Sequence, residues 1–125
     1  MGVSKDLTID YAGWREPKPQ GISACIRLRN EGQFMAPAVR SFLPYVDEVV
    51  LVTQPSDDDT EAQAEALAAA HPDKVRVCHY PLIVDWIDTP GFYYKDENQP
   101  GHLVHMSNWA LSQCRYSWIL KVEGD

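Results

Sequence analysis

A chain of 125 residues with 45% hydrophobic content is long enough to bury one core and too short for two. Its formal net charge of -7, with 11 scattered Lys and Arg against 18 Asp and Glu, leaves no basic stripe for nucleic-acid phosphates. A phosphate-bearing ligand would need a bridging cation, and a divalent metal is the natural candidate.

Three cysteines, Cys25, Cys78 and Cys114, form neither a C-x-x-C pair nor an even disulfide set, so a reducing, cytoplasmic setting is expected and each reads as a small core residue. No signal peptide or membrane span is legible; a full-length parent could still work at the cytosolic face of a membrane.

Residues 1 to 21 read as a polar leader in which Leu7 to Tyr11 could pair at a sheet edge, and residues 22 to 125 as one domain. Ile22 to Leu28 has the length of a buried strand, ended by Arg29-Asn30-Glu31-Gly32. A helix is expected from Gln33 to Leu43, with Pro37 tolerated in its first turn. Glu48 to Thr53 is β-branched and apolar, as in a strand covered on both faces. Gln54 to Asp59 turns the chain, and the alanine-rich run from Thr60 is a helix with capping-box spacing between Asp58 and Glu61.

Val75 to Tyr80 reads as a third strand, followed by a long loop from Pro81 to Gly101 that carries aromatics. His102 to Cys114 is expected to be a helix and Ser117 to Val122 a fourth strand. His102 and His105 lie three apart on that helix but have no third ligand in view.

The alternation of strands and helices implies an α/β, Rossmann-like fold, with a mostly parallel sheet and helices on both faces. With strand order 3-2-1-4, the switch point falls between the first and fourth strands and brings Asn30 and Glu31 beside Glu123 and Asp125. No P-loop and no G-x-G-x-x-G is present, so phosphates must be held another way. Acid-Gly-acid at a strand's end can hold a Mg²⁺ or Mn²⁺ that clamps a diphosphate.

These pieces together resemble the inverting family 2 glycosyltransferases of GT-A fold. The matching segments are IRLRNEG (Ile26 to Gly32), Ser41-Phe42, VVLVTQPSDDDT (Val49 to Thr60) with its Ser-x-Asp-x-Thr turn, SNWAL (Ser107 to Leu111) and WILKVEGD (Trp118 to Asp125) as a DxD-like motif. The resemblance implies a nucleotide-diphosphate sugar donor, a saccharide or other hydroxyl acceptor and a transferase of hexosyltransferase type. It assigns Arg29, Asn30, Glu31, Thr53, Gln54, Asp58, Asn108 and Glu123 to the nucleotide-sugar site and Asp125, with Glu123, to the metal. Thr53-Gln54-Pro55 stands where the family has Asp-Gly, and Glu123 where it has Asp. The family's general base lies beyond such a motif, so the chain reads as a truncated, inactive front half. A non-catalytic nucleotide-binding scaffold is the alternative; a sugar nucleotidyltransferase is disfavoured because LRNEGQF has a single Gly.

Overall fold

Strand β1 (Ile22–Leu28) lies at the centre of a four-stranded sheet, flanked by β2 (Glu48–Thr53) on one side and β4 (Trp118–Val122) on the other, with β3 (Val75–His79) outside β2. This computed structural model describes residues 7–85 and 87–122. All three pairings are parallel, and the order β3-β2-β1-β4 is that of a Rossmann-like sheet. The β1–β2 register runs from Ser23 opposite Glu48 to Leu28 opposite Thr53, and Val122 of β4 stands opposite Ile26.

Period-two alternation sorts the strand residues onto two cores. Ala24, Ile26, Leu28, Val49 and Leu51 pack on one face under helix α1 (Met35–Phe42) and helix α2 (Thr60–Ala70), through Met35, Val39, Ala64 and Leu67. Cys25, Val50 and Val52 face the other way, onto Met106, Trp109 and Ala110 of helix α4 (Leu103–Ser112), with Tyr80 and Cys114. The long loop after β3 contains one short helix, α3 (Pro90–Tyr94).

Pro37 sits in the first turn of α1, where its missing N–H opens no gap. Among the described residues the leader adds no strand. Leu7 and Ile9 instead pack against the second core, and His105 Nε2 lies 3.0 Å from the Leu7 carbonyl. That contact satisfies leader backbone without a sheet edge.

The capping box expected at Asp58 and Glu61 does not form. Asp59 is the N-cap residue and makes no side-chain cap bond, whereas Asp58 lies one residue earlier and accepts from Thr60 N at 2.9 Å, a local side-chain turn. Among the described residues β4 is an edge strand with Trp118, Ile119 and Leu120 exposed.

Candidate functional site

The loops that leave β1 and β2 at their carboxyl ends are joined by a set of side-chain to backbone bonds. Asn30 adopts a left-handed conformation, φ 56°, which Asn tolerates better than most residues. The turn presents three successive backbone N–H groups to the β2 loop. Asn30 N donates to Ser56 Oγ at 3.1 Å, Glu31 N to Thr60 Oγ1 at 2.9 Å, and Gly32 N to Asp58 Oδ2 at 3.1 Å. In return Asn30 Oδ1 accepts from Asp57 N at 2.7 Å. The Ser-x-Asp-x-Thr pattern is therefore a clamp on the loop after β1. A Cβ at Gly32 would lie 2.5 Å from Asp59 Oδ1, so a larger residue there would push the Asp59 side chain aside.

Thr60 is buried, accepts from Glu31 N and donates to Asp58 Oδ1. The Thr60 hydroxyl, then the Thr60 and Gly32 N–H groups, hold the Asp58 carboxyl below the usual carboxylate range. Thr60→Val keeps the shape and removes both bonds. It is expected to cost about 2 kcal/mol, because Glu31 N loses its acceptor and Asp58 a donor. Urea unfolding together with amide exchange at Glu31 measures it; an unchanged midpoint would show the clamp to be decorative.

The predicted site residues divide into groups. Asn30, Glu31 and Asp58 meet in the clamp. Arg29 precedes them, with its Nε buried and without a hydrogen-bond partner among the described residues. Gln54 N donates to Leu28 O at 2.9 Å, prolonging the β1–β2 ladder, and its Nε2 reaches Leu82 O at 3.3 Å. Thr53 is 1% exposed, and its hydroxyl is bonded to His79 Nδ1. Asn108 lies on α4, half-buried, beside Ser107, whose Oγ accepts from Arg27 Nη1 at 2.8 Å. Glu123 and Asp125 lie outside the described residues; β4 is described to Val122, which stands opposite Ile26, toward the carboxyl edge of β1. Among the described residues no group of three His, Cys, Asp or Glu side chains is disposed to hold a metal.

Sequence reasoning missed His79. It is buried at the end of β3 with Nε2 2.9 Å from Glu65 Oε1 and Glu61 Oε2 3.5 Å from Nδ1. In the Nε2–H tautomer, Nε2 donates to Glu65 and Nδ1 accepts from the Thr53 hydroxyl. The sequence signal was available: Glu61 and Glu65 are one turn apart on α2. His102 and His105 are likewise engaged at both nitrogens. His102 Nδ1 accepts from Val104 N and Nε2 faces Phe92 O, while His105 bridges Tyr80 Oη and Leu7 O.

Opposite the clamp, at the amino edge of the sheet, buried Glu48 joins three strands and the turn before β4. Ser23 Oγ and Arg115 N each donate to Oε2 at 2.7 Å, and Arg115 Nε and Arg76 Nη2 approach Oε1 at 3.0 and 3.3 Å. Burial pushes this carboxyl up, but the Ser23 hydroxyl, the Arg115 N–H and the two guanidinium groups outweigh it and hold it below the usual range.

No helix among the described residues is long and apolar enough to cross a membrane. No family model matches the chain, and no solved structure matches it. It is similar to an uncharacterized glycosyltransferase of Rickettsia felis (strain ATCC VR-1525 / URRWXCal2), 33% identical over 104 residues. That alignment covers 83% of this chain and 28% of the relative, so the chain spans less than a third of the length of the protein it resembles.

Proposed function

We propose that this chain is a glycosyltransferase-like domain that binds a nucleotide-diphosphate sugar at the carboxyl edge of β1 and β4, as part of an enzyme that passes the sugar to an acceptor hydroxyl with inversion. The observation that carries the reading is Arg29 at the switch point of the sheet. Its Nε is buried without a partner among the described residues, directly before a loop that the clamp holds rigid. A buried guanidinium N–H of this kind calls for an acceptor, and a diphosphate oxygen would supply one. The likeness to a protein named as a glycosyltransferase supports the same chemistry.

In this reading Asn30 and Glu31 line the nucleotide pocket, with Thr53, Gln54, Asp58 and Asn108 supporting its walls. Asp125 and Glu123 hold Mg²⁺ or Mn²⁺. The cation, when bound, neutralises charge on the departing diphosphate. The chain's own residues position the donor: the clamp fixes the loop and Arg29 supplies a fixed positive charge where negative charge grows. The base that deprotonates the acceptor is expected outside these residues.

Calorimetry with a panel of nucleotide-diphosphate sugars, with Mn²⁺ and then with a chelator, tests the proposal. Binding is expected with the metal and not without it. Asp125→Asn is expected to weaken it about a hundredfold, the size of one lost charged contact. Arg29→Met should weaken it in the same direction. Failure of every donor to bind in the presence of metal would overturn the reading.

A further inference from the structure

Strand β4 is no less apolar than β2, yet β2 is buried along its whole length and β4 leaves Trp118, Ile119 and Leu120 at 69, 40 and 44% exposed. Both faces of the strand are open. Trp118 and Leu120 stand opposite Ile22 and Ala24 on one face, and Ile119 stands opposite Ser23 on the other. A groove of about 330 Å³ runs along the first face, lined by Ile22, Trp118, Ile119 and Leu120. One of about 320 Å³ opens on the second, where Ile119 lines it with Trp14, Leu111 and Tyr116. Between the grooves runs an unpaired backbone edge. Trp118 N donates to Gly21 O at 3.0 Å, toward β1, so alternation turns the N–H and C=O groups of Ile119 and Lys121 outward.

We propose that β4 is a docking edge for a second copy of this chain, which adds its own β4 antiparallel across a twofold axis to make one continuous sheet. The two grooves set the partner's chemistry. An added strand sends alternate side chains to each face, so it has to be apolar on both. Among the described residues β4 is itself such a strand and is free to pair, whereas β3 at the other edge exposes no large apolar side chain.

Stereochemistry then fixes the register. A twofold axis normal to the sheet keeps each face continuous, so paired residues must belong to the same face and outward backbone groups must meet outward groups. Setting Leu120 opposite the partner's Leu120 meets both conditions and pairs all 5 residues of the strand: Trp118 with the partner's Val122, and Ile119 with the partner's Lys121. Ile119 and Lys121 of each copy then exchange main-chain hydrogen bonds, and Trp118, Leu120 and Val122 of both copies close the groove beside Ile22. Lys121, the charge that blunts a lone edge, stands opposite an isoleucine rather than its own equivalent, so like charges are not opposed. The patch is small. A few part-exposed side chains per copy fall short of the about 800 Å² per partner of a tight interface, so a dissociation constant on the order of tens of micromolar is expected. None of these contacts involves the site residues proposed above, so the two readings stand or fall separately.

Sedimentation velocity on the full chain, over concentrations that bracket this constant, should show a reversible monomer–dimer equilibrium. Amide exchange should slow at Ile119 and Lys121 as concentration rises but not at Leu120, whose N–H faces β1 by the same alternation. In a mixture of isotope-labelled and unlabelled chain, a filtered NOE between the Leu120 Hα protons of the two copies reports the register. Ile119→Pro removes an outward donor without touching the β1 ladder, and Leu120→Lys sets two like charges on the axis. Each should weaken the dimer by about tenfold or more, with far-UV circular dichroism unchanged. The wild-type measurements decide the matter even if a variant fails to fold. A chain that stays monomeric at every concentration would overturn the proposal and leave the edge to a strand of some other polypeptide; a dimer that leaves exchange at Ile119 and Lys121 unchanged would overturn it as well.

Discussion

Glu48→Gln is expected to lower the unfolding free energy by about 3 kcal/mol and the melting temperature by about 10 °C. Glu48 is 1% exposed and gathers Ser23 from β1, Arg76 from β3 and Arg115 from the turn before β4. An amide has one acceptor oxygen where the carboxylate has two, so its NH₂ group must face either the Ser23–Arg115 N–H pair or the two guanidinium groups. Arg115 is 60% exposed and recovers water, so most of the loss falls on Ser23 and the Arg115 N–H. The folded carboxyl titrates below the unfolded one, so its contribution is complete above about pH 4.3 and fades as pH falls through the folded value. Urea unfolding of both proteins at neutral pH and near pH 3 should show the gap between them closing in acid. A gap that is absent at neutral pH, or that widens in acid, would refute this account of Glu48.

Trp109→Ala should cost about 4 kcal/mol, the range for truncating a large core aromatic. Trp109 has no exposed surface and stacks at a tilt on Tyr80, ring centroids 5.4 Å apart. It holds α4 to the sheet beside Cys25 of β1 and Val50 and Val52 of β2, in the core that also takes Cys114. Trp109→Phe keeps the ring contact and leaves a smaller void, so about 1.5 kcal/mol is expected. Chemical denaturation of both variants, followed by far-UV circular dichroism, gives the two values. Equal and small losses would mean that α4 is held elsewhere. Trp14 and Trp118 are both exposed, so of these three Trp109 should give the most blue-shifted fluorescence.

The two substitutions act at opposite ends of the architecture. Glu48 pins the amino edge of the sheet, leaving the carboxyl edge to loops whose geometry the clamp sets. Stability and the proposed binding therefore separate: Glu48→Gln should shift unfolding with little change in donor affinity of the folded protein, whereas Arg29→Met should do the reverse.

What the residues alone determined was the fold. Ile22–Leu28, Glu48–Thr53, Val75–His79 and Trp118–Val122 form strands within a residue of their expected ends, in the expected order. The reason is local: β-branched apolar runs between polar turns have few other ways to be buried, and parallel strands need intervening helices. The placement of Asn30 and Glu31 at the carboxyl edge followed from the same alternation.

Tertiary structure decided the partners. Glu48 opens an apolar strand, and nothing near it in sequence names its partners; Arg76 and Arg115, distant along the chain, close on it. Asp58 has the spacing of a helix cap, yet it is taken by Gly32 from the neighbouring loop, because the β1 and β2 loops emerge side by side. The hydroxyl of Thr53 meets His79 on the next strand, which the parallel register sets opposite it. Three scattered cysteines come to share one core only when period two on β1 meets the end of α4. In each case spacing along the chain fixes which way a side chain points, and the packing of distant elements fixes what it meets.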